Sequence, residues 1–227
     1  MINIHTHNQP FKQYSWAFFA LLLLSSPLLF TNKEFLTLWL NQHHNSFLDI
    51  FFKYVTYIGN GWLLLPLFLF VLSRNYYLSL VLGISIFVES LLVQVILKNG
   101  FFADVVRPIK YIAQSDLLHR VEGVEIYNMH SFPSGHTQTA FLLFTFLALF
   151  CKRRTTAYIL LFIAVLIGIS RVYILQHFFI DVWFGALIGY LFLMISIVLF
   201  NRFSGISKSE KWNRGFLSPK ENKSIET

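Results

Sequence analysis

The chain has 227 residues, 56% hydrophobic and 18% aromatic, with only 13% charged, a net charge of +7 at pH 7 and a mean hydropathy of +0.58. A soluble domain carries roughly 25% charged residues, so this composition is that of an integral membrane protein. The single cysteine, Cys151, excludes a disulfide scaffold, and the absence of a basic stripe interleaved with aromatics excludes nucleic acid as a partner.

The first apolar run covers about residues 14–30 and is preceded by Lys12. It ends Leu28-Leu29-Phe30-Thr31-Asn32 without a small-x-small cleavage site, so a retained first span is expected. Residues 34–60 mix apolar and polar side chains at helical spacing, which predicts interfacial amphipathic helices anchored by Trp39 and Tyr54. Gly59-Asn60-Gly61 breaks that segment, and a second span follows at about 62–72. The third covers about 77–97, the fourth 137–150, the fifth 157–173 and the sixth 179–200. The expected fold is therefore an all-α bundle of about six transmembrane helices. Residues 1–200 form the membrane domain, and 201–227 a polar, basic tail expected to be disordered.

Charge placement sets the orientation. Lys12, Arg74, Lys152, Arg153, Arg154 and the basic tail fall on one side, which places both chain ends in the cytoplasm. Lys98, Arg107 and Arg171 then fall on the outer side, at one membrane boundary, where unpaired cations are costly and call for an anion.

Three segments converge on that outer face: Lys98 to Arg107-Pro108, Pro133-Ser134-Gly135-His136, and Ser170-Arg171 through His177 to Asp181. Arginine forks match tetrahedral oxyanions, and Ser134-Gly135 at a helix start offers free backbone amides at the positive end of the dipole. His177 and Asp181 are four residues apart, so on a helix they share a face, and the carboxylate holds one ring N–H while the other nitrogen acts as a nucleophile. His136 supplies a proton to the leaving oxygen. Each feature alone has a structural explanation, as an interfacial histidine, a headgroup contact or a helix cap. Their joint occurrence on one side points to phosphoryl chemistry.

In these motifs the chain resembles the type 2 phosphatidic acid phosphatase superfamily of membrane lipid phosphatases. The resemblance rests on Pro133-Ser134-Gly135-His136 and on Ser170-Arg171-x5-His177-x3-Asp181. It implies that His177 is the nucleophile forming a phosphohistidine, Asp181 its orienter and His136 the general acid. It also implies that Lys98, Arg107, Ser134, Gly135 and Arg171 bind the phosphoryl group, with no metal and no cofactor. Eight residues separate Lys98 from Arg107, two more than in the family's usual first motif, so either the segment bulges or Lys98 is not the equivalent lysine. Vanadium-dependent haloperoxidases share the motifs but are soluble, which this composition opposes.

The expected activity is hydrolysis of a membrane-lipid phosphate at the periplasmic face of a bacterial inner membrane. Candidate substrates are undecaprenyl diphosphate, phosphatidylglycerol phosphate, phosphatidic acid and lipid A phosphate. A lipid phosphotransferase and a non-catalytic lipid-phosphate binder or transporter are the alternatives, and the sequence carries no signal for an oligomeric state. Elsewhere, Glu89 and Gln94 sit inside the third span, and Gly185-x-x-x-Gly189 reads as close helix packing. The loop over residues 110–130, with Asp116, His119, Arg120, Glu122, Glu125 and Asn128, reads as solvated or headgroup-facing. His5, His7, His43 and His44 read as surface residues without a third ligand nearby, so no metal site is expected.

Overall fold

The computed structural model describes residues 8–112, 117–203 and 205–218, so the readings of His5, His7 and Asp116 lie outside it. Among the described residues every regular element is helical. The order is α1 (Gln9–Ser25), α2 (Phe35–Gln42), α3 (Ser46–Ile58), α4 (Leu64–Arg74), α5 (Tyr76–Ser90), α6 (Pro108–Tyr111), α7 (Gly135–Ala148), α8 (Arg154–Tyr173) and α9 (Phe179–Phe203). Short polar side chains start several of them. Asn8, Asn45 and Asn75 accept from the amides of Phe11, Leu48 and Leu78 at 2.7, 2.9 and 2.8 Å.

Four segments are long and apolar enough to cross a bilayer: Gln9–Phe30, Tyr76–Phe101, Arg154–Tyr173 and Phe179–Arg202. The other two expected spans are shorter. α4 has 11 residues and α7 has 14, about 16 and 21 Å of helix against a hydrocarbon core of about 30 Å.

α7 occupies the centre, with most of its side chains buried, and packs chiefly on α8 and α9. Small residues permit this approach. A Cβ at Gly185 of α9 would lie 2.7 Å from the Ser134 carbonyl oxygen, and one at Gly189 would collide with the Gln138 carbonyl. The Gly-x-x-x-Gly thus does what was expected of it, bringing α9 against the start of α7. α1 covers the outside of this core with Phe11, Tyr14, Phe18 and Leu22, and the Tyr14 hydroxyl meets Thr145 Oγ1 at 3.0 Å.

Hydrogen bonds define two ends of the bundle. Asn8 Nδ2 donates to the Leu149 carbonyl, which places the start of α1 beside the end of α7. At that same end the tail folds back on the α4–α5 turn. Tyr77 N donates to Trp212 O at 2.8 Å and Leu217 N to Ser73 O at 3.0 Å, and Gly215 lies so close to Ser73 that a Cβ would overlap its backbone. Over residues 205–218 the tail is thus held by backbone hydrogen bonds and by the close approach of one glycine.

α2 and α3 lie across the other end. Trp39 and Tyr54 point outward, 48% and 63% exposed, as interfacial anchors should, while Phe52 and Thr56 of α3 are buried against α8.

Candidate active site

Each of the three sequence segments reaches one cavity of about 270 Å³, lined by Lys98, Arg107, Gly135, His136, Arg171 and His177, together with Gly59, Asn60, Gln94, Tyr127 and Thr139. Local structure explains how each arrives there. The third span continues past Ser90 as a π-type helix over Leu91–Phe101, whose wider winding turns Lys98 inward and buries it. Despite the long Lys98–Arg107 spacing, Lys98 lines the cavity with Arg107.

Arg107 precedes α6 and is held by main-chain carbonyls. Its Nε donates to Met129 O at 2.8 Å, and NH1 donates to Gln176 O at 3.0 Å and to Gln176 Oε1 at 2.8 Å. Burial opposes its charge, and Asp181 favours it. Arg171 sits in the last turn of α8, and its NH1 donates to Thr56 Oγ1 of α3 at 2.6 Å. Its buried Nε has no protein partner, which leaves a donor for an anion.

Ser134 caps α7, its hydroxyl 2.9 Å from Thr137 Oγ1, and its amide donates to Asp181 O at 2.9 Å. Ser134 is fully buried, so in this arrangement its side chain serves the helix start, and Gly135 and His136 in the first turn face the cavity. A Cβ at Gly135 would stand 3.0 Å from Gln94 Nε2 and 3.8 Å from Lys98 Nζ.

His177 and Asp181 do not share a helix face. α9 begins at Phe179, and His177 lies in the turn before it. Leu175 adopts φ 61°, and the chain reverses so that the amides of Gln176 and His177 both bond the Arg171 carbonyl, at 3.0 and 3.1 Å. The pair still meets, with His177 Nδ1 3.4 Å from Asp181 Oδ2. That oxygen also accepts from the Phe178 amide at 3.0 Å and from the Ser131 hydroxyl. On the opposite edge of the ring, His177 Nε2 lies 3.5 Å from Arg107 NH1.

Burial, followed by Arg107, Arg171 and Lys98, holds His177 well below the usual histidine range, with the Ser131 carbonyl opposing. Burial and the same cations, Arg171 first, hold His136 far below it as well. Burial and the neighbouring cations thus both favour the neutral form of each imidazole.

Four further residues serve this arrangement: Ser131, Thr56, Gln176 and the cavity-lining Tyr127. Gln176 adjoins a motif histidine, and Thr56 is a polar residue in an amphipathic stretch. Nothing in the sequence marked Ser131 apart from its closeness to Pro133. The loop over 110–130 is more than solvated. Its Glu125 carbonyl accepts from Gln176 Nε2 and its Asn128 carbonyl from the Arg107 amide, so it props the cavity. Glu89 is buried beside Gln138 of α7, within the bundle. His44 is not isolated, contrary to expectation. Its ring stacks on His119 at 3.6 Å, next to Asp49, because the loop returns to α3.

A helical membrane bundle with a cavity lined by Lys98, Arg107, Arg171 and two histidines fits a membrane enzyme of phosphate-ester chemistry. Residues 76–204 match the PAP2 superfamily profile, and the chain belongs to that superfamily. It is a lipid phosphatase, as its solved structural neighbours also indicate. LpxE from Aquifex aeolicus superposes with a TM-score of 0.62 and 32% identity, covering 72% of this chain and 93% of that one. The first transmembrane PAP2 type phosphatidylglycerolphosphate phosphatase from Bacillus subtilis gives a TM-score of 0.60 and 25% identity, covering 83% of this chain and 96% of that one. No curated protein matches the chain.

Proposed function

We propose that the protein hydrolyses a phosphomonoester or diphosphate of a membrane lipid without a metal, at the outer face of a bacterial inner membrane, through a phosphohistidine on His177. The observation that carries this reading is the position of His177 Nε2, 3.5 Å from Arg107 NH1 in a cavity that also holds Arg171, Lys98 and His136. The Nε2 lone pair attacks phosphorus in line, the bond to the lipid oxygen breaks, and that oxygen takes the proton of His136. Water then attacks the phosphohistidine, giving a proton back to His136, and the P–N bond breaks. Arg107, Arg171, Lys98 and the first-turn amides of α7 stabilise the equatorial oxygens.

His136 gains its proton only with substrate. The negative charge of a phosphate offsets the three cations that keep the free imidazole neutral. Asp181 positions His177 and stabilises the charge it acquires.

An apolar groove of about 650 Å³ beside α4 and α5 shares Asn60 and Thr139 with the cationic cavity, and Trp62, Leu65, Phe68 and Phe87 line it. This continuity favours a substrate with its phosphate and its hydrocarbon chain on one molecule. Undecaprenyl diphosphate, phosphatidylglycerol phosphate, phosphatidic acid and lipid A phosphate all meet that description.

The test is phosphate release by detergent-purified protein with EDTA present, across these four lipids, for the native chain and His177→Ala. Release that disappears in the variant supports the reading, and the relative rates rank the substrates. No release by folded protein from any of the four, with EDTA or without it, overturns the hydrolase reading, and transfer to an added acceptor lipid would then identify a phosphotransferase.

A further inference from the structure

We propose that His44, Asp49 and His119 form a second site, which binds one Zn²⁺-class divalent transition-metal ion and fastens the loop before α7 onto α3. Each residue offers one donor atom, and the three atoms lie within 4.8 Å of one another. They come from separate segments: the α2–α3 turn, the first turn of α3, and the loop 70 residues further on.

The donor set suits such an ion. Two imidazoles and a carboxylate are zinc ligands, and three protein ligands with an open fourth position is a recurring zinc arrangement. Metal–ligand lengths of about 2.0–2.2 Å place tetrahedral donor atoms about 3.3 Å apart. His119 Nε2 and Asp49 Oδ2 are now 2.8 Å apart, joined by a hydrogen bond. An ion would replace that bond, with the imidazole proton carried at Nδ1 instead. The rings of His44 and His119 stack 6° from parallel, so the exposed His44 ring must tilt out of the stack to aim its in-plane lone pair at an ion shared with His119.

The surroundings are built as metal sites are, with outer partners that fix the ligands. The buried Tyr173 hydroxyl donates to Asp49 Oδ1 at 2.6 Å, leaving Oδ2 for the ion. Asn41, also buried, clamps the His119 backbone from both sides, donating to its carbonyl at 2.8 Å and accepting from its amide at 3.1 Å. A cavity of about 290 Å³ bordered by Ser46, Asp49 and Glu122 provides an entry path and room for a water ligand.

Its place in the fold gives the ion a consequence. α3 carries Asp49 near its start and Thr56, the partner of Arg171, near its end. Tyr173, which holds Asp49, follows Arg171 by two residues, and the loop that carries His119 also supplies carbonyls to Arg107. The ion therefore ties together the segments that hold two of the three cavity cations, at a distance from the reacting histidines.

The experiment uses the full chain, purified in detergent without a histidine tag, stripped with EDTA and then freed of it. ZnCl₂ is titrated by calorimetry, bound zinc is counted by atomic absorption, and tryptic cleavage after Arg120 is timed. One zinc per chain is expected, with cleavage slowed about tenfold at a free zinc concentration ten times the Kd. His44→Gln and His119→Gln each lose the zinc and the protection. His43→Gln, whose ring lies on Trp39, keeps both.

Should His119→Gln fail to fold, His44→Gln, with a ring that only stacks, decides alone. Absence of stoichiometric zinc, zinc retained in His44→Gln, or zinc lost in His5→Gln/His7→Gln overturns the proposal. None of these readouts depends on phosphatase activity, so the two readings fail separately.

Discussion

The Ser131 hydroxyl donates to Asp181 Oδ2, the same carboxylate oxygen that stands 3.4 Å from His177 Nδ1. Asp181 thus accepts from Ser131 and the Phe178 amide while it faces the imidazole, so the loop at 131 and the turn at 177–178 fix one oxygen. Ser131 is fully buried, so its alanine variant leaves a buried acceptor short of a partner, a loss of about 1–3 kcal/mol, or roughly 10- to 100-fold in kcat. KM should change little, and Ser131→Thr should restore most of the rate. An unaltered kcat in Ser131→Ala would show that Asp181 holds its place without this bond.

The acid limb of kcat/KM reports the free enzyme, and in the proposed mechanism His177 sets it. Burial and the cations lower the pKa of His177, so the neutral nucleophile survives to pH values below the ordinary histidine value of about 6.5. Activity should persist there and be lost only as pH falls through the lowered pKa. Arg107→Gln removes the largest of the neighbouring charges acting on the ring, so the limb should move to higher pH, whatever the overall rate. A limb that stays in place or moves to lower pH would mean that another group sets it. In kcat, a basic limb should appear where His136 loses its proton in the complex, and a monotonic profile would count against the acid–nucleophile pairing.

Two glycines, one crowded by side-chain ends and one by backbone, should give opposite phenotypes. At Gly135 a methyl group points toward Gln94 and Lys98 in the cavity, so Gly135→Ala should cost about 10- to 100-fold in kcat/KM with little loss of thermal stability. At Gly189 the methyl group meets the Gln138 backbone carbonyl, which cannot move without shifting α7. Gly189→Ala should destabilise by about 1–3 kcal/mol, read by thermal unfolding in detergent. Equal stability for the two variants would refute this division.

Arg171 depends on Thr56 for the single side-chain acceptor of its NH1. Thr56→Val keeps the shape but leaves the guanidinium short of that partner, for which a loss of roughly 10-fold or more in kcat/KM is expected. Thr56→Ser should recover it. Phosphate release under substrate-limiting conditions measures both, and a fully active valine variant would show that α3 does not position this arginine.

The membrane class, the helical bundle and the motif residues were legible from composition and local spacing. Apolar runs must bury their backbone polar groups as helices, and cations at a membrane boundary need a partner. The orientation of the motifs to one end followed from the alternation of spans. Local signals were weaker where the main chain departs from ideal geometry. The spacing of His177 and Asp181 implied a shared helix face, but a left-handed Leu175 turns the chain and α9 starts later. Of the eight residues between Lys98 and Arg107, the first three end the π-type winding of 91–101 and the rest form a turn and an irregular stretch before α6.

By itself, then, the sequence determined which residues meet at the cavity, because phosphoryl transfer at a membrane edge restricts the side chains that suit it and keeps them in short motifs. Only the tertiary structure decided what holds them. Ser131 on Asp181, Thr56 on Arg171, Gln176 on Arg107, and His119 beside His44 and Asp49 join residues 50 to 115 positions apart. Such contacts leave no periodic trace in the chain. They are set by how closely helices pack, and at Gly185 and Gly189 that closeness depends on the lack of a side chain.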